Sequence, residues 1–194
     1  MGSSRGPYAK GVAKRAEILR AALEVIARHG YRKTSTRELA AAAGLSEAGM
    51  LHYFGSKEKL FEEVLRARDE ADSARFADED PIDGLQAVIR HNGTVPGLVQ
   101  LYSTFSAEAG DPDHTSHPFF VNRYATLRTR LAETIRTRQS EGTLTRDADP
   151  DTIATLLIAL SDGLQVQSQY NLPTAPADTF SHLLDLLTGP KRDS

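Results

Sequence analysis

The side chains with the most to offer chemically fall in one short stretch. Thr36, Arg37, Glu47, His52, Tyr53 and Lys57 bring hydroxyls, two cations, a carboxylate and an imidazole close together. The mixture does not suit catalysis. No nucleophile and base stand in a recognisable arrangement and no glycine-rich phosphate loop is present, while the absence of cysteine removes thiolate chemistry altogether. It does suit an extended anion. The N–H groups of a helix that opens at Thr36 and Arg37 would hold a phosphate with help from the helix dipole, and Lys57 would add charge in the first turn of a later helix.

The elements that must position these groups are legible. Ser35 and Glu38 fit a capping box, Leu39, Ala42 and Ala43 repeat at helical spacing, and Gly44 is placed to end the helix in a left-handed conformation. Ser46 caps a second short helix two residues later. Residues 34–60 therefore read as a helix-turn-helix followed at once by a third helix, and the second member can enter a DNA major groove. Met50 and Phe54, one turn apart, should face the small core, which turns Glu47, Gly49, His52 and Tyr53 outward.

Charge supports the reading. The whole chain carries only −3, but residues 1–68 hold 13 Lys and Arg against 7 Asp and Glu, a balance of +6, and the rest stands at −9. A basic module facing phosphates and an acidic body are expected. Arg5, Lys10, Lys14 and Arg15 among Gly and Pro predict a flexible basic arm, with the first helix running from Ala16 to His29.

The remaining helices follow one grammar of acidic or hydroxyl cap, first-turn Pro and closing Gly. They are expected at about 57–76, 82–91, 96–109, 118–141, 150–169 and 176–187, with residues 110–116 as a loop. No segment alternates with a period of two, so the fold class is all-α, with about nine helices. The domains are expected as an arm and DNA-binding helix-turn-helix domain at 1–56, a connecting helix at 57–76, and a ligand-binding and dimerisation domain at 77–194. Leu156, Leu160 and Leu164 form a stripe on a helix that is apolar nearly all round. With Phe180, Leu183 and Leu187 on the last helix, they are the expected interface with a second copy of the chain. Tyr102, Phe105, Phe119, Phe120 and Tyr124, with His91, Gln165 and Gln169 as polar partners, could line a pocket for a small molecule, although plain core explains each aromatic as well. Asp111, Asp113, His114 and His117 read as a polar loop rather than metal ligands, and Asn92-Gly93-Thr94 matches a glycosylation acceptor without consequence in a cytoplasmic protein. No cofactor, no metal and no membrane partner is expected; no apolar run reaches the ~18 residues of a membrane span, and no export signal is visible.

Thr36-Arg37-Glu38-Leu39-Ala40, Ala43-Gly44-Leu45-Ser46, His52-Tyr53-Phe54 and Ser56-Lys57-Glu58 resemble the tetracycline-repressor (TetR) family of bacterial regulators, and His29-Gly30-Tyr31 agrees. The resemblance covers residues of about 12–62. It implies a homodimer that reads a palindromic double-stranded operator, a body that binds an unidentified small-molecule effector, and a four-helix dimer interface. It also implies a DNA-facing set of Thr36, Arg37, Ser46, Glu47, Gly49, Leu51, His52, Tyr53 and Lys57. Leu51 stands where the family usually has Tyr, and Gly49 where Thr or Ser is common, so the reading face is thinner than the family pattern. The expected function is a ligand-responsive transcriptional regulator, a repressor released by a small molecule, and not an enzyme. The competing readings are a small helical enzyme and a ligand-independent DNA-binding protein.

Overall fold

The computed structural model describes residues 7–170, 172 and 175–188. Those residues form nine α-helices and one 3-10 turn, and no strand is found among them. The helices are α1 (Pro7–His29), α2 (Thr36–Ala42), α3 (Glu47–Phe54), α4 (Lys57–Arg75), α5 (Pro81–Asn92), α6 (Pro96–Glu108), α7 (His117–Ser140), α8 (Pro150–Ser168) and α9 (Pro176–Leu187), with the 3-10 turn at Tyr31–Lys33. No helix among the described residues is long and apolar enough to cross a membrane.

One expected boundary is corrected. Residues 7–15 are helix rather than arm, because α1 already starts at Pro7. Proline in a first helical turn loses nothing, since its missing N–H would have no partner there. Gly11 then costs only ~1 kcal/mol in a long helix. Arg5, the remaining member of the expected arm, lies outside the described residues.

The chain divides into two compact units that do not follow its order. Of the described residues, 7–71 and 95–117 form the first, and 72–94 with those from 118 to 188 form the second. Thus α6 packs with the N-terminal helices, where chain order alone had assigned it to the body.

In the first unit α1 supplies Ile18, Ala22 and Ile26, α4 supplies Leu60, Phe61, Val64 and Leu65, and α6 supplies Leu98, Leu101 and Phe105, all buried. Phe61 stands edge to face with Tyr31 at 5.2 Å and with Phe105 at 6.2 Å, and Phe105 does the same with His114 at 5.4 Å. The approach of α6 to α1 is very close. A Cβ built on Gly97 would lie 2.0 Å from the Ile26 carbonyl oxygen and 2.9 Å from Gly30 Cα.

The core of the second unit gathers Ile82 and Ile89 of α5, Leu131 and Ile135 of α7, Ile153, Leu157 and Leu164 of α8, and Phe180 of α9. Arg138 near the end of α7 ties down the start of α5. Its Nε donates to Asp80 at 3.0 Å and its Nη2 to Asp83 at 2.6 Å, while Asp80 also caps α5 by accepting from the Ile82 and Asp83 N–H groups. Burial pushes the Asp80 carboxyl up, but the Arg138 guanidinium and the two N–H donors outweigh it, so the net displacement is below the ordinary carboxylate value.

The expected interface is corrected in part. Phe180 has 0% and Leu164 3% of its surface exposed in a single chain, so neither has surface to give a partner. Leu160, Leu183 and Leu187 are half-buried against that same core. Leu156, by contrast, is 56% exposed. Along α8, Leu156, Ala159, Val166 and Gln167 look outward while Ile153, Ala154, Leu157, Ile158, Ser161, Leu164 and Gln165 look inward. The helix buries one side in its own unit and leaves Leu156, Ala159 and Val166 open on the other, beside the polar Thr155 and Gln167.

Candidate nucleic-acid interface

The two short helices are set by caps. Glu38 N–H donates to Ser35 Oγ at 3.2 Å, and Ser35 N–H donates back to Glu38 Oε2 at 2.8 Å, completing the capping box. The Ser35 backbone and hydroxyl hold the Glu38 carboxyl below its ordinary value. After Ala42 the chain closes with Leu45 N–H on Ala40 O at 2.9 Å and Gly44 N–H on Ala41 O at 3.0 Å. This pairing needs a left-handed residue between the helices, and Gly44 has φ +68°. Ser46 then caps α3 by accepting from Gly49 N–H at 3.0 Å.

Every member of the expected DNA-facing set lies on this part of the first unit, and α3 turns Met50 and Phe54 inward as the spacing predicts, while of the four residues expected outward only Glu47 and His52 are fully exposed. Met50 and Phe54 are buried; Glu47, Ala48 and His52 are exposed; Gly49, Leu51 and Tyr53 are half-buried. Arg37 and Lys57 are exposed, with the Lys57 ammonium 5.7 Å above the Phe61 ring. The Thr36 hydroxyl donates to Glu47 Oε1, joining the first turns of α2 and α3. His52 and Tyr53 stand edge to face at 6.3 Å. Gly49 has a structural reason as well: a Cβ there would come within 3.1 Å of the capping Ser46 hydroxyl.

Sequence reasoning missed what holds α3 from behind. Arg15 of α1 donates to the Tyr53 carbonyl, lies 4.6 Å over the Phe54 ring and pairs with Glu63 at 3.3 Å. Lys14 donates to the Ala43 carbonyl at 3.0 Å. Two successive cations thus occupy the carbonyl ends of both helices, where the dipole favours positive charge. Their only sequence signal was their sign, which had suggested phosphate contacts. Arg32 and Lys33, exposed just before the α2 cap, were likewise visible only as charge. Replacing Arg15 with Met should cost about 1 kcal/mol, at the low end for a charge-assisted hydrogen bond because the side chain is partly exposed. It should speed hydrogen exchange of the α3 amides about fivefold; unchanged α3 exchange would show that the clamp holds nothing.

The expected ligand residues separate. Tyr102 and Phe105 are buried in the first unit, Tyr102 beneath the Arg68 guanidinium at 5.9 Å. His91, Phe119, Phe120, Tyr124, Gln165 and Gln169 belong to the second unit. There Gln165 accepts from Asn92 Nδ2 at 3.2 Å, both side chains being buried, and the Tyr124 hydroxyl donates to Asp162 Oδ2 at 2.8 Å. His91 lies 4.0 Å from the buried Asp72 and edge to face with Phe76 at 6.4 Å. Phe119 packs on Phe120 at 5.1 Å, and the Gln169 side chain, on an exposed residue, turns back to the Gln165 carbonyl at 3.4 Å. Asn92, Asp72 and Asp162 were missed as candidates. Asp72 had a signal, since the helical spacing Phe61, Leu65, Arg68, Asp72 runs charge into an apolar stripe. Asn92 of the glycosylation motif is buried in the folded chain. A shallow open groove in this unit is lined by Asp80, Thr134, Thr137, Arg138, Glu141, Thr143 and Thr188, none of them an expected ligand residue. In the 110–116 loop, Asp111 accepts from Asp113 N–H at 3.0 Å and His114 Nδ1 from Ser116 N–H at 3.1 Å. Among the described residues no group of three or more His, Asp or Glu could hold a metal ion.

Comparison with known proteins places this geometry. Residues 18–64 match the model of bacterial regulatory proteins of the tetR family, and residues 83–187 match the C-terminal model of BetI-type transcriptional repressors. The HTH-type transcriptional repressor AcnR of Corynebacterium glutamicum is 30% identical over 183 residues, covering 92% of each chain. The HTH-type transcriptional regulator BetI of Rhizobium meliloti is 31% identical over 173 residues, covering 84% of this chain and 80% of its own. A solved protein from Saccharomonospora viridis, in complex with choline, matches with TM-score 0.63 at 26% identity, covering 90% of this chain and 94% of its own. A capped helix pair with its second member turned outward, joined to a body of matching type, leaves one assignment: the chain belongs to the TetR family and is a DNA-binding transcriptional regulator, not an enzyme.

Proposed function

We propose that the protein is a homodimeric repressor that reads a palindromic operator with two copies of α3 and leaves it when a small molecule binds the second unit. The observation that carries the dimer is the open apolar side of α8. Leu156 and Val166 stand exposed with Ala159 between them, and Leu186 of α9 is exposed as well. Exposed apolar side chains gathered on one helix face support a protein–protein interface there. DNA contact rests on the exposed Arg37, His52 and Lys57, with Arg32 and Lys33 beside them.

The effector would act through the two-unit organisation. The chain crosses between units within α4, before α6 and after His117, so a change of packing in the second unit is linked covalently to the first at each crossing. The buried Asn92–Gln165 pair and the Tyr124–Asp162 hydrogen bond are polar groups that a ligand could recruit. By reciprocity, an effector that weakens operator binding must itself bind the operator complex less tightly. Choline, held by the Saccharomonospora viridis relative, belongs in the first screen.

Selection from a pool of random DNA duplexes with the purified protein should enrich an inverted repeat. Affinity for it should fall on the order of a thousandfold between 50 and 200 mM salt if about six phosphates are neutralised. No enriched sequence together with a flat salt response would reject the reading.

A further inference from the structure

The outward surface of α3 is chemically sparse. Ala48 and Leu51 are apolar and Gly49 has no side chain, while Tyr53 is half-buried beside His52. Hydrogen-bonded reading of base edges therefore falls mainly to Glu47 and His52. Glu47 alone is already held: the Thr36 hydroxyl, eleven residues earlier, donates to its Oε1. A hydroxyl has one hydrogen, so this bond engages the donor that a phosphate oxygen would otherwise receive. Fixing a flexible glutamate before the groove is entered lowers the cost of ordering it there.

An ionised carboxylate only accepts. In the major groove guanine shows two acceptors, thymine one, and adenine a donor beside an acceptor; cytosine shows its N4 amino donor without an acceptor next to it. A carboxylate therefore fits cytosine and is repelled, in varying degree, by the other three. We propose that Glu47 selects cytosine at one position of each operator half-site, and that Thr36 is its positioning residue. The inference rests on the DNA-reading function proposed above.

The test uses the full chain and a random duplex pool. The wild type should enrich an inverted repeat with cytosine at one position per half-site. Glu47→Gln should move that position toward adenine, whose N6 and N7 match a carboxamide. Thr36→Val, which keeps the shape and removes the hydroxyl, should weaken the cytosine preference about fivefold with an unchanged salt slope, and Thr36→Ser should restore it. An unaltered motif in Glu47→Gln would overturn the assignment of Glu47. A Thr36→Val protein that binds all sequences equally less well, with its base preference unchanged, would make Thr36 a phosphate contact instead. A wild type that enriches no motif would reject the regulator reading itself, which separates the two failures.

Discussion

Gly97→Ala should destabilise the protein by about 3 kcal/mol or more, at or beyond the upper end for a single added methyl group. The added Cβ would lie 2.0 Å from the Ile26 carbonyl oxygen, less than two-thirds of an ordinary contact. Neither side can give way cheaply. The oxygen belongs to the α1 backbone and already accepts the Gly30 N–H at 2.9 Å, while Gly30 Cα lies 2.9 Å from the same point. Relief requires α6 to move bodily away from α1, opening space around Leu98, Leu101 and Phe105. For a chain of this size the midpoint of thermal unfolding should drop by roughly 6–12 °C. Gly84→Ala is the matched control, because its Cβ would meet only Glu79 Cβ at 3.9 Å. It should be neutral or stabilising by up to ~1 kcal/mol. Equal midpoints for the two variants would show that α6 does not seat on α1 as described.

Leu156→Arg should yield a folded monomer. Leu156 is more than half exposed in a single chain, so an arginine there is solvated once no partner covers it. Across an interface the same charge would be buried without a counter-ion, a loss of about 3–5 kcal/mol or more. With the two half-sites no longer read by one linked pair, affinity for the palindrome should fall by about 100-fold or more, whereas affinity for a single half-site should hold. Leu164→Arg gives the contrast: Leu164 is buried in its own unit, and that variant should fail to fold. Sedimentation of Leu156→Arg as a folded dimer would exclude the α8 face as the interface.

The contrast between these two leucines shows how far periodicity reaches. Spacing identified α8 as apolar on more than one side, but it cannot tell a side chain covered by its own unit from one waiting for a partner. Phe180 and Leu164 are covered by their own unit, whereas Leu156 is left exposed and is the one proposed to meet a partner. Features encoded within a few residues were legible in full: the Ser35–Glu38 box, the Gly44 turn, the Ser46 cap and the Asp80-Pro81 and Asp149-Pro150 starts all formed. Pro7 could have been read by the same rule that placed Pro81 and Pro150. What stayed hidden was set by distant partners. Arg15 meets Tyr53 across 38 positions and Lys14 meets Ala43 across 29, so their basic character pointed toward phosphates instead of carbonyls. Of the expected DNA-facing set, side-chain type and helical phase were visible, whereas the Thr36–Glu47 bond depended on how the two helices cross.

The partnership of α6 with the N-terminal helices bears on how such regulators can be recombined. A hybrid sensor is most simply made by joining the DNA-reading end of one protein to the sensing end of another at a single point. Cut after Ala71, this chain would surrender residues 95–117, and the faces of Ile26 and Phe61 that meet α6 would lie open to water. Free energy lost there would be of the order of several buried side chains at about 2 kcal/mol each. A working exchange must carry α6 and the loop to His117 along with the head, as an inserted segment with its own two junctions. The unit of transfer is discontinuous in the gene although it is continuous in space.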